Sequence, residues 1–192
     1  MTADRSTLMK LFLVRHGQDL DDSRFLINGR RDSPLTELGK RQALAAGDDL
    51  QMQQIGCVYT SPLQRAHETA SLISQRLGIA NVYVEAELIE RDYGILTGRS
   101  PSEIPTFASR IFASNGFQYI IEAHGVENYE RLWKRAGKVL RRIQRRHAGQ
   151  NVLIVAHNEI IKMIRANFEK TSWEDELALP PVANCQVIAL GP

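Results

Sequence analysis

Two apolar segments of the chain end directly in a histidine, and each has the pattern of a buried strand. The segment from Lys10 to Val14 runs into Arg15-His16-Gly17, and the segment from Asn151 to Ala156 runs into His157. A short, continuous apolar run is typical of a parallel strand that is covered on both faces. Because the carboxyl ends of parallel strands share one edge of the sheet, where open sheets bind ligands, we expect His16 and His157 to be neighbours.

The remaining pattern predicts a single α/β domain over residues 1–192. Strand patterns at 57–60, 82–84 and 185–190 alternate with helical patterns at 36–50, from 61 onward, at 129–147 and at 158–168. This alternation indicates a three-layer α/β/α sandwich with a mainly parallel sheet. Thr36 is the expected cap of the first helix, and Ser61-Pro62-Leu63-Gln64 has the spacing of a capping box. Residues 88–125 are predicted to be irregular, with a short helix near 102–114.

Composition limits the classes of partner. The net charge of +2 over 192 residues gives no global electrostatic case for nucleic acid. The late basic cluster, from Lys138 to Arg146, is expected to be the solvated face of an amphipathic helix. No apolar stretch reaches the roughly 18 residues of a membrane span, and the start is polar. Cys57 and Cys185 fall in apolar runs, so we expect reduced thiols in a cytoplasmic protein.

The side chains predicted at the sheet edge suit a phosphate monoester. Arg15 and Arg65 are permanently cationic, and a guanidinium fork matches two phosphate oxygens. A neutral imidazole such as His16 can attack phosphorus, and neighbouring arginines oppose its protonation. His157 opens a helix, so helix-end amides could bind the same oxyanion. The leaving alcohol needs a proton, and Glu90 in the loop from Leu88 to Gly94 is the candidate donor.

These motifs together resemble the histidine phosphatase superfamily, the phosphoglycerate-mutase-like enzymes. Val14-Arg15-His16-Gly17 resembles its signature. Four later motifs follow in the same order: Asp32-Ser33-Pro34-Leu35-Thr36 with Gly39, Ser61-Pro62-Leu63-Gln64-Arg65-Ala66 with Glu68-Thr69-Ala70, Glu90-Arg91-Asp92-Tyr93-Gly94, and Val155-Ala156-His157. The tripeptide Arg-His-Gly is a weak signal, whereas five motifs in register are specific.

The resemblance implies a role for each matching residue. His16 would be the phosphorylated nucleophile and Glu90 the general acid and base, while Arg15, Arg65 and His157 would clamp the phosphoryl group. The implied substrate-binding residues are Gly17, Asn28, Gly29, Arg91 and Tyr93. The substrate would be a small phosphorylated metabolite, and neither a metal nor another cofactor is expected.

The chain departs from the family pattern in the loop after His16. Asp19 and Asp22 stand where the family usually has threonine or serine and asparagine. A carboxylate that faces phosphate repels it, so either this loop swings outward or the site is altered. Asn158-Glu159 follow His157 where the family often has glycine, which adds a negative charge.

Two rival functions remain beside phosphomonoester hydrolysis. The segment from Glu90 to Gly98 is very like the mutase version of its loop, but a mutase needs a larger, more basic lid, and only Arg99 and Arg110 are basic between Gly98 and Val126. A non-catalytic, ligand-binding member is the second rival, supported by Asp19 and Asp22. The apolar residues of the predicted lid, about 95–125, indicate either an apolar cover or a dimer surface, so the chain is expected to be a monomer or a homodimer.

Overall fold

A computed structural model describes residues 9–114 and 116–191, and its centre is a five-stranded sheet. The sheet contains β1 (Leu11–Arg15), β2 (Ile55–Thr60), β3 (Val82–Val84), β6 (Asn151–Ala156) and β7 (Val187–Leu190), with strands numbered in chain order. Their spatial order is β3-β2-β6-β1-β7, and only the edge strand β7 is antiparallel to its neighbour. Leu13 lies beside Ile154 and Val14 beside Val155, so β1 and β6 end together.

Helices cover both faces of this sheet. The α-helices of the described residues are α1 (Leu20–Ser23), α2 (Glu37–Asp49), α3 (Gln64–Leu77), α4 (Ile104–Phe107), α5 (Tyr129–Arg146), α6 (Asn158–Glu169) and α7 (Trp173–Leu177), and all but α1 and α4 pack on the sheet. The alternation of side chains along β1 divides the core: Leu11 and Leu13 belong to one apolar cluster, and Phe12 and Val14 to another. The first cluster includes residues of α5, α6 and α7, and the second includes residues of α2 and α3. The predicted three-layer α/β/α architecture is therefore confirmed.

Several predicted boundaries agree with the structure. Thr36 caps α2 by accepting a hydrogen bond from the backbone N–H of Gly39 over 3.0 Å. Strands β3 and β6 have the predicted bounds, and β1 is shifted by one residue from the prediction. The basic side of α5 is exposed, as expected, while Leu132, Ala136 and Leu140 face the core. No helix in the described ranges is both long enough and apolar enough to cross a bilayer.

The predicted start of α3 is wrong. The helix begins at Gln64, and Ser61 does not cap it. The Ser61 hydroxyl instead lies 2.7 Å from Nε2 of His157, and the backbone N–H of Gln64 donates to the carboxylate of Asp32 over 2.8 Å. The capping box does not form, because the Ser61 hydroxyl contacts His157 and the N–H of Gln64 is capped by Asp32, which is distant in sequence. Arg65 still falls in the first turn, as predicted.

The segment from 88 to 125 is more regular than predicted. Two 3₁₀ turns, Gly94–Leu96 and Pro101–Glu103, and the short helix α4 precede Ala108. The expected helix over 102–114 therefore ends at Phe107 and gives way to a hairpin of β4 (Ala108–Ser114) and β5 (Phe117–Ala123). Aromatic and β-branched residues in this segment favour strands, and Ile111 pairs with Ile120 across the hairpin. The dipeptide Asn115-Gly116 is a strong hairpin signal in the sequence, and Gly116 has a φ of +77°.

The end of the chain also differs from the prediction. The last strand begins at Val187, because Cys185 takes a left-handed conformation with φ of 55° and its N–H donates to the carbonyl of Arg15 over 2.9 Å. Cys57 is buried and Cys185 half-buried, and both are free thiols. The loop before β7 is thereby held against the end of β1.

Candidate active site

The carboxyl edge of the sheet brings the two predicted histidines together. His16 follows β1 and His157 follows β6, and the centroids of their rings are 5.1 Å apart. The N–H of His16 donates to the carbonyl of Ala156 over 3.0 Å, which fixes the two strand ends in register. The expectation from the two apolar segments is confirmed.

His16 is held as a neutral imidazole. Its Nδ1 lies 2.8 Å from the carbonyl oxygen of Gly17 and must therefore donate, which leaves the lone pair on Nε2. Nε of Arg65 donates to this Nε2 over 3.2 Å. Burial, with the charges of Arg15 and Arg65, lowers the pKa of His16 well below its ordinary value. The nitrogen with the lone pair faces a cation, which is the arrangement a nucleophile toward phosphate needs.

Arg65 is anchored by the backbone around it. Its Nη1 donates to the carbonyl of Arg31 and its Nη2 to the carbonyl of Gly29, each over 2.7 Å. A guanidinium has five N–H donors, and the bonds to His16, Arg31 and Gly29 use one each. The side chain is buried, so its position is fixed before any ligand arrives.

Arg15 contacts both the C-terminal loop and the loop after His16. Its Nη1 donates to the carbonyl of Val182 and its Nη2 to Oδ1 of Asp22, each over 3.0 Å. Nε of Arg15 is buried and has no hydrogen-bond partner among the described residues. One donor of Arg15 thus contacts a carboxylate, and another, the buried Nε, has no partner among the described residues.

The loop after His16 does not swing outward. Asp19 is fully buried, caps α1 by accepting from the N–H of Asp22 over 2.7 Å, and lies 3.3 Å from Nε of Arg65. The amide of Asn28 donates to the same carboxylate. Burial raises the pKa of Asp19 to about 6, and the neighbouring charge of Asp22 adds to the increase. Of the two alternatives left by the sequence, the altered site is the one observed.

Glu90 sits at the amino end of α6. Its Oε2 accepts from the N–H of Glu159 over 3.2 Å, and its Oε1 accepts from the N–H groups of Ile160 over 3.3 Å and Arg91 over 2.8 Å. Nη1 of Arg135, on α5, donates to the carbonyl of Ile89 over 2.8 Å and holds the loop in place. Burial raises the pKa of Glu90, and the charge of Glu159 raises it further. A raised pKa favours the protonated carboxyl, which is the form that acts as a general acid.

His157 is buried behind His16. Ser61 accepts from the N–H of Leu63 over 3.3 Å and can donate to Nε2 of His157 over 2.7 Å, which would leave Nδ1 protonated. That Nδ1 has no partner among the described residues. Burial and the charge of Arg65 lower the pKa of His157 well below its ordinary value. A neutral imidazole can therefore still offer a donor.

A cavity of about 390 Å³ opens at this edge of the sheet. Seven of the ten predicted site residues line it: Arg15, His16, Asn28, Gly29, Arg65, Glu90 and Tyr93. Gly17 packs against Gly39, and any side chain at position 17 would have a Cβ that overlaps the carbonyl of Gly39. His157 contacts His16 from below the cavity wall.

The structure does not bring Arg91 to the cavity. Its guanidinium stacks on the ring of Tyr129 at 3.7 Å, and its Nε donates to the carbonyl of Glu127 over 2.7 Å. Arg91 therefore supports the loop that carries Glu90, and it does not belong to the cavity lining.

Several site residues are absent from the prediction. Asn184 donates to Oδ2 of Asp22 over 2.9 Å and to the carbonyl of His16 over 3.0 Å, and Asn158 lines the cavity. Ser61 was interpreted as a helix cap, although it contacts His157. Only the position of Asn158 directly after His157 could have indicated a site residue, since the others depend on distant contacts.

The same site contains donor atoms that could hold a cation. One ligand atom each from His16, Asp19 and Asp22 lies within 4.8 Å of the other two. Both carboxylates already contact guanidinium groups, Asp22 at Arg15 and Asp19 at Arg65. These fixed positive charges compete with a metal ion for the same oxygens.

Comparisons with known proteins agree with the motifs and the fold. A profile of the histidine phosphatase superfamily (branch 1) matches residues 11–192. The chain is 31% identical over 159 residues to phosphoglycerate mutase-like protein 4 of Arabidopsis thaliana, covering 81% of this chain and 69% of that protein. It is 29% identical over 177 residues to metal-independent phosphoserine phosphatase of the same plant, and the match covers 90% of this chain and 74% of that protein. The fold is similar to that of a mycobacterial glucosyl-3-phosphoglycerate phosphatase in complex with VO3. The TM-score is 0.81 and the identity 24%, and the match covers 95% of this chain and 91% of that chain. The chain belongs to the histidine phosphatase superfamily.

Proposed function

We propose that the protein hydrolyses small phosphomonoesters through a phosphohistidine intermediate, without a metal or another cofactor. The observation that carries this proposal is the contact between Arg65 and Nε2 of His16, whose lone pair faces the guanidinium in the cavity that also contains Glu90. A neutral nucleophile, a fixed cation and a buried acid are the three groups that phosphoryl transfer to histidine requires.

The first step transfers the phosphoryl group to the protein. Nε2 of His16 attacks phosphorus, the bond between phosphorus and the ester oxygen breaks, and Glu90 gives its proton to the leaving oxygen. Arg15 and Arg65 neutralise the charge on the phosphoryl oxygens, with the unpartnered Nε of Arg15 as one donor. The unpartnered Nδ1–H of His157 is a second candidate donor.

The second step returns the histidine. The Glu90 carboxylate takes a proton from water, the oxygen of that water attacks phosphorus, and the bond between phosphorus and Nε2 breaks. Inorganic phosphate leaves, and His16 and Glu90 regain their starting states. The amides of α6 that hold Glu90 stabilise its anionic form between the two steps.

The similar proteins support a phosphatase of small metabolites. Two of them are named for hydrolysis, one of phosphoserine and one of glucosyl-3-phosphoglycerate, and the first is named metal-independent. The free thiols of Cys57 and Cys185 support a reducing compartment, for which we propose the cytoplasm.

Mutase activity is the second candidate, because one relative is named phosphoglycerate mutase-like. A mutase must hold a second phosphoryl group on its bisphosphate intermediate. Arg15 and Arg65 are the cations in the cavity lining of the described residues, and both are at the His16 end. The charge distribution therefore favours hydrolysis over transfer.

One assay separates hydrolysis, transfer and pure binding. The purified protein is incubated with p-nitrophenyl phosphate and with 3-phosphoglycerate, with and without a chelator. We expect release of inorganic phosphate from p-nitrophenyl phosphate, at a rate that the chelator does not affect. Exchange of 3- with 2-phosphoglycerate without phosphate release would support the mutase. Binding without any turnover would support a non-catalytic member.

A further inference from the structure

The walls of the cavity divide into a charged part and an apolar part. The charged residues and the imidazole of this part come from the end of β1, from α1, from the start of α3 and from loops at the sheet edge. They are Arg15, His16, Asp22, Arg65 and Glu90. The apolar residues come from the loop before Asn28, from the segment around α4 and from the hairpin. They are Leu26, Ile27, Pro101, Ile104, Phe117 and Ile120.

Two hydrogen bonds join the apolar elements to each other. The N–H of Ile27 donates to the carbonyl of Arg99 over 2.8 Å, and the N–H of Gly98 donates to the carbonyl of Ile27 over 2.7 Å. Ile104 and Ile120 pack together in a small apolar core that also contains Leu96. The ring of Phe117 is 47% exposed, at the end of the hairpin that faces the cavity. This wall is therefore built by the fold before a ligand binds.

The apolar part of the lining contributes no cation from the described residues. Of the arginines near it in sequence, Arg99 donates to Glu103 over 2.9 Å and Arg31 donates to Asp21 over 2.8 Å, while Arg24 is exposed and does not belong to the lining. The uncharged polar side chains of the lining are the amides of Asn28, Gln118 and Asn158 and the phenol of Tyr93. The carboxylates in the lining are Asp22 and Glu90.

A phosphoryl group at His16 places the rest of the substrate against these remaining walls. An anionic group there would lose hydration without gaining a cationic partner, and Asp22 would repel it. An apolar group would instead gain contacts with Leu26, Ile27 and Phe117.

We propose that the alcohol part of the substrate is uncharged and largely apolar, so that the protein selects against phosphomonoesters with a second anionic group. This inference rests on the proposed phosphatase function and specifies its substrate class. Gln118 is the position at which a substitution tests this selectivity most clearly. It lies on the same face of β5 as Ile120, and both residues line the cavity.

The test compares hexyl phosphate with 6-phosphooxyhexanoate. The two esters have the same chain length and nearly the same leaving oxygen, and they differ by one carboxylate. We expect kcat/KM to be at least about tenfold higher for hexyl phosphate. Equal values, or a preference for the carboxylate, would overturn the inference while leaving the phosphatase function intact. Turnover of neither ester nor of p-nitrophenyl phosphate would overturn the phosphatase function, and the inference with it.

Three variants give the comparison its controls. Gln118→Lys supplies a cation, so it should raise kcat/KM for 6-phosphooxyhexanoate. The ratio of kcat/KM for hexyl phosphate to kcat/KM for 6-phosphooxyhexanoate should then fall at least about threefold. Phe117→Ala should lower kcat/KM for hexyl phosphate more than for methyl phosphate. Phe112→Ala is the matched control, because Phe112 is 40% exposed on the same hairpin and lies outside this cavity. A ratio that Gln118→Lys leaves unchanged, or equal effects of the two phenylalanine variants, would contradict the inference.

Discussion

Nη2 of Arg15 lies 3.0 Å from Oδ1 of Asp22, while Asn184 donates to the other oxygen of the same carboxylate over 2.9 Å. Asp22 also approaches Nδ1 of His16, with 4.0 Å between that nitrogen and Oδ2. A carboxylate that accepts from a guanidinium occupies the place of a phosphate oxygen. Asp22 therefore competes with the substrate for one of the two cations of the site.

Removal of this charge should tighten the binding of anions. In Asp22→Asn the side chain keeps its shape but loses its charge, so we expect the KM for p-nitrophenyl phosphate and the inhibition constant for inorganic phosphate to fall about tenfold at neutral pH, or ~1.4 kcal/mol. Asp48→Asn is the matched control, because Asp48 also pairs with an arginine, Arg76, but on the exposed surface. If both constants stay unchanged in Asp22→Asn, then Asp22 does not compete with phosphate.

Asp19 should make substrate binding depend on pH. Its pKa of about 6 means that the side chain is neutral below this pH and negative above it, next to Arg65. The wild-type KM should therefore be lower at about pH 5 than at about pH 7.5, and Asp19→Asn should remove most of this difference. The measurement is the ratio of KM values of the two proteins at each pH, because ionisation of the substrate cancels in that ratio. A ratio that does not change with pH would contradict the prediction.

Loss of the Glu90 carboxyl should lower the rate of hydrolysis most for substrates with poor leaving groups. In Glu90→Gln no proton is available for the leaving oxygen, so kcat for an alkyl phosphate should fall by about 10²- to 10⁴-fold. The loss should be smaller for p-nitrophenyl phosphate in the phosphorylation step, since its leaving oxygen needs little protonation. Pre-steady-state rates of p-nitrophenol and alcohol release measure this difference, with Glu130→Gln on the exposed side of α5 as the control. Equal losses for both leaving groups would argue against a general acid at position 90.

The parts of the site that could be predicted are those that follow from local pattern and strand order. The apolar segments before His16 and His157 define buried parallel strands, and the carboxyl ends of such strands meet at one edge. Arg65 was also placed correctly, because the start of α3 was wrong by only a few residues and the first turn still faces this edge.

The parts that could not be predicted depend on contacts between distant segments. The sequence identifies Asp19 and Asp22 as unusual, but contacts with distant residues orient their side chains. Arg65 and Asn28 contact Asp19, and Arg15 and Asn184 contact Asp22. Ser61 has the spacing of a helix cap, and only the fold shows that His157 takes its hydroxyl. The glycines and polar residues around the hairpin are also typical of an irregular loop, so the pattern predicts a loop there, although Asn115-Gly116 is itself typical of a hairpin turn.

The most direct test of the account is to trap the phosphoprotein. The protein is mixed with a ³²P-labelled phosphomonoester, quenched with denaturant within milliseconds at alkaline pH, and examined for label that is stable in base and lost in acid. We predict such label in the wild-type protein and its absence in His16→Asn, whose folding is checked by circular dichroism. Turnover by the wild-type protein without any trapped label, or label that persists in His16→Asn, would contradict the assignment of His16 as the nucleophile.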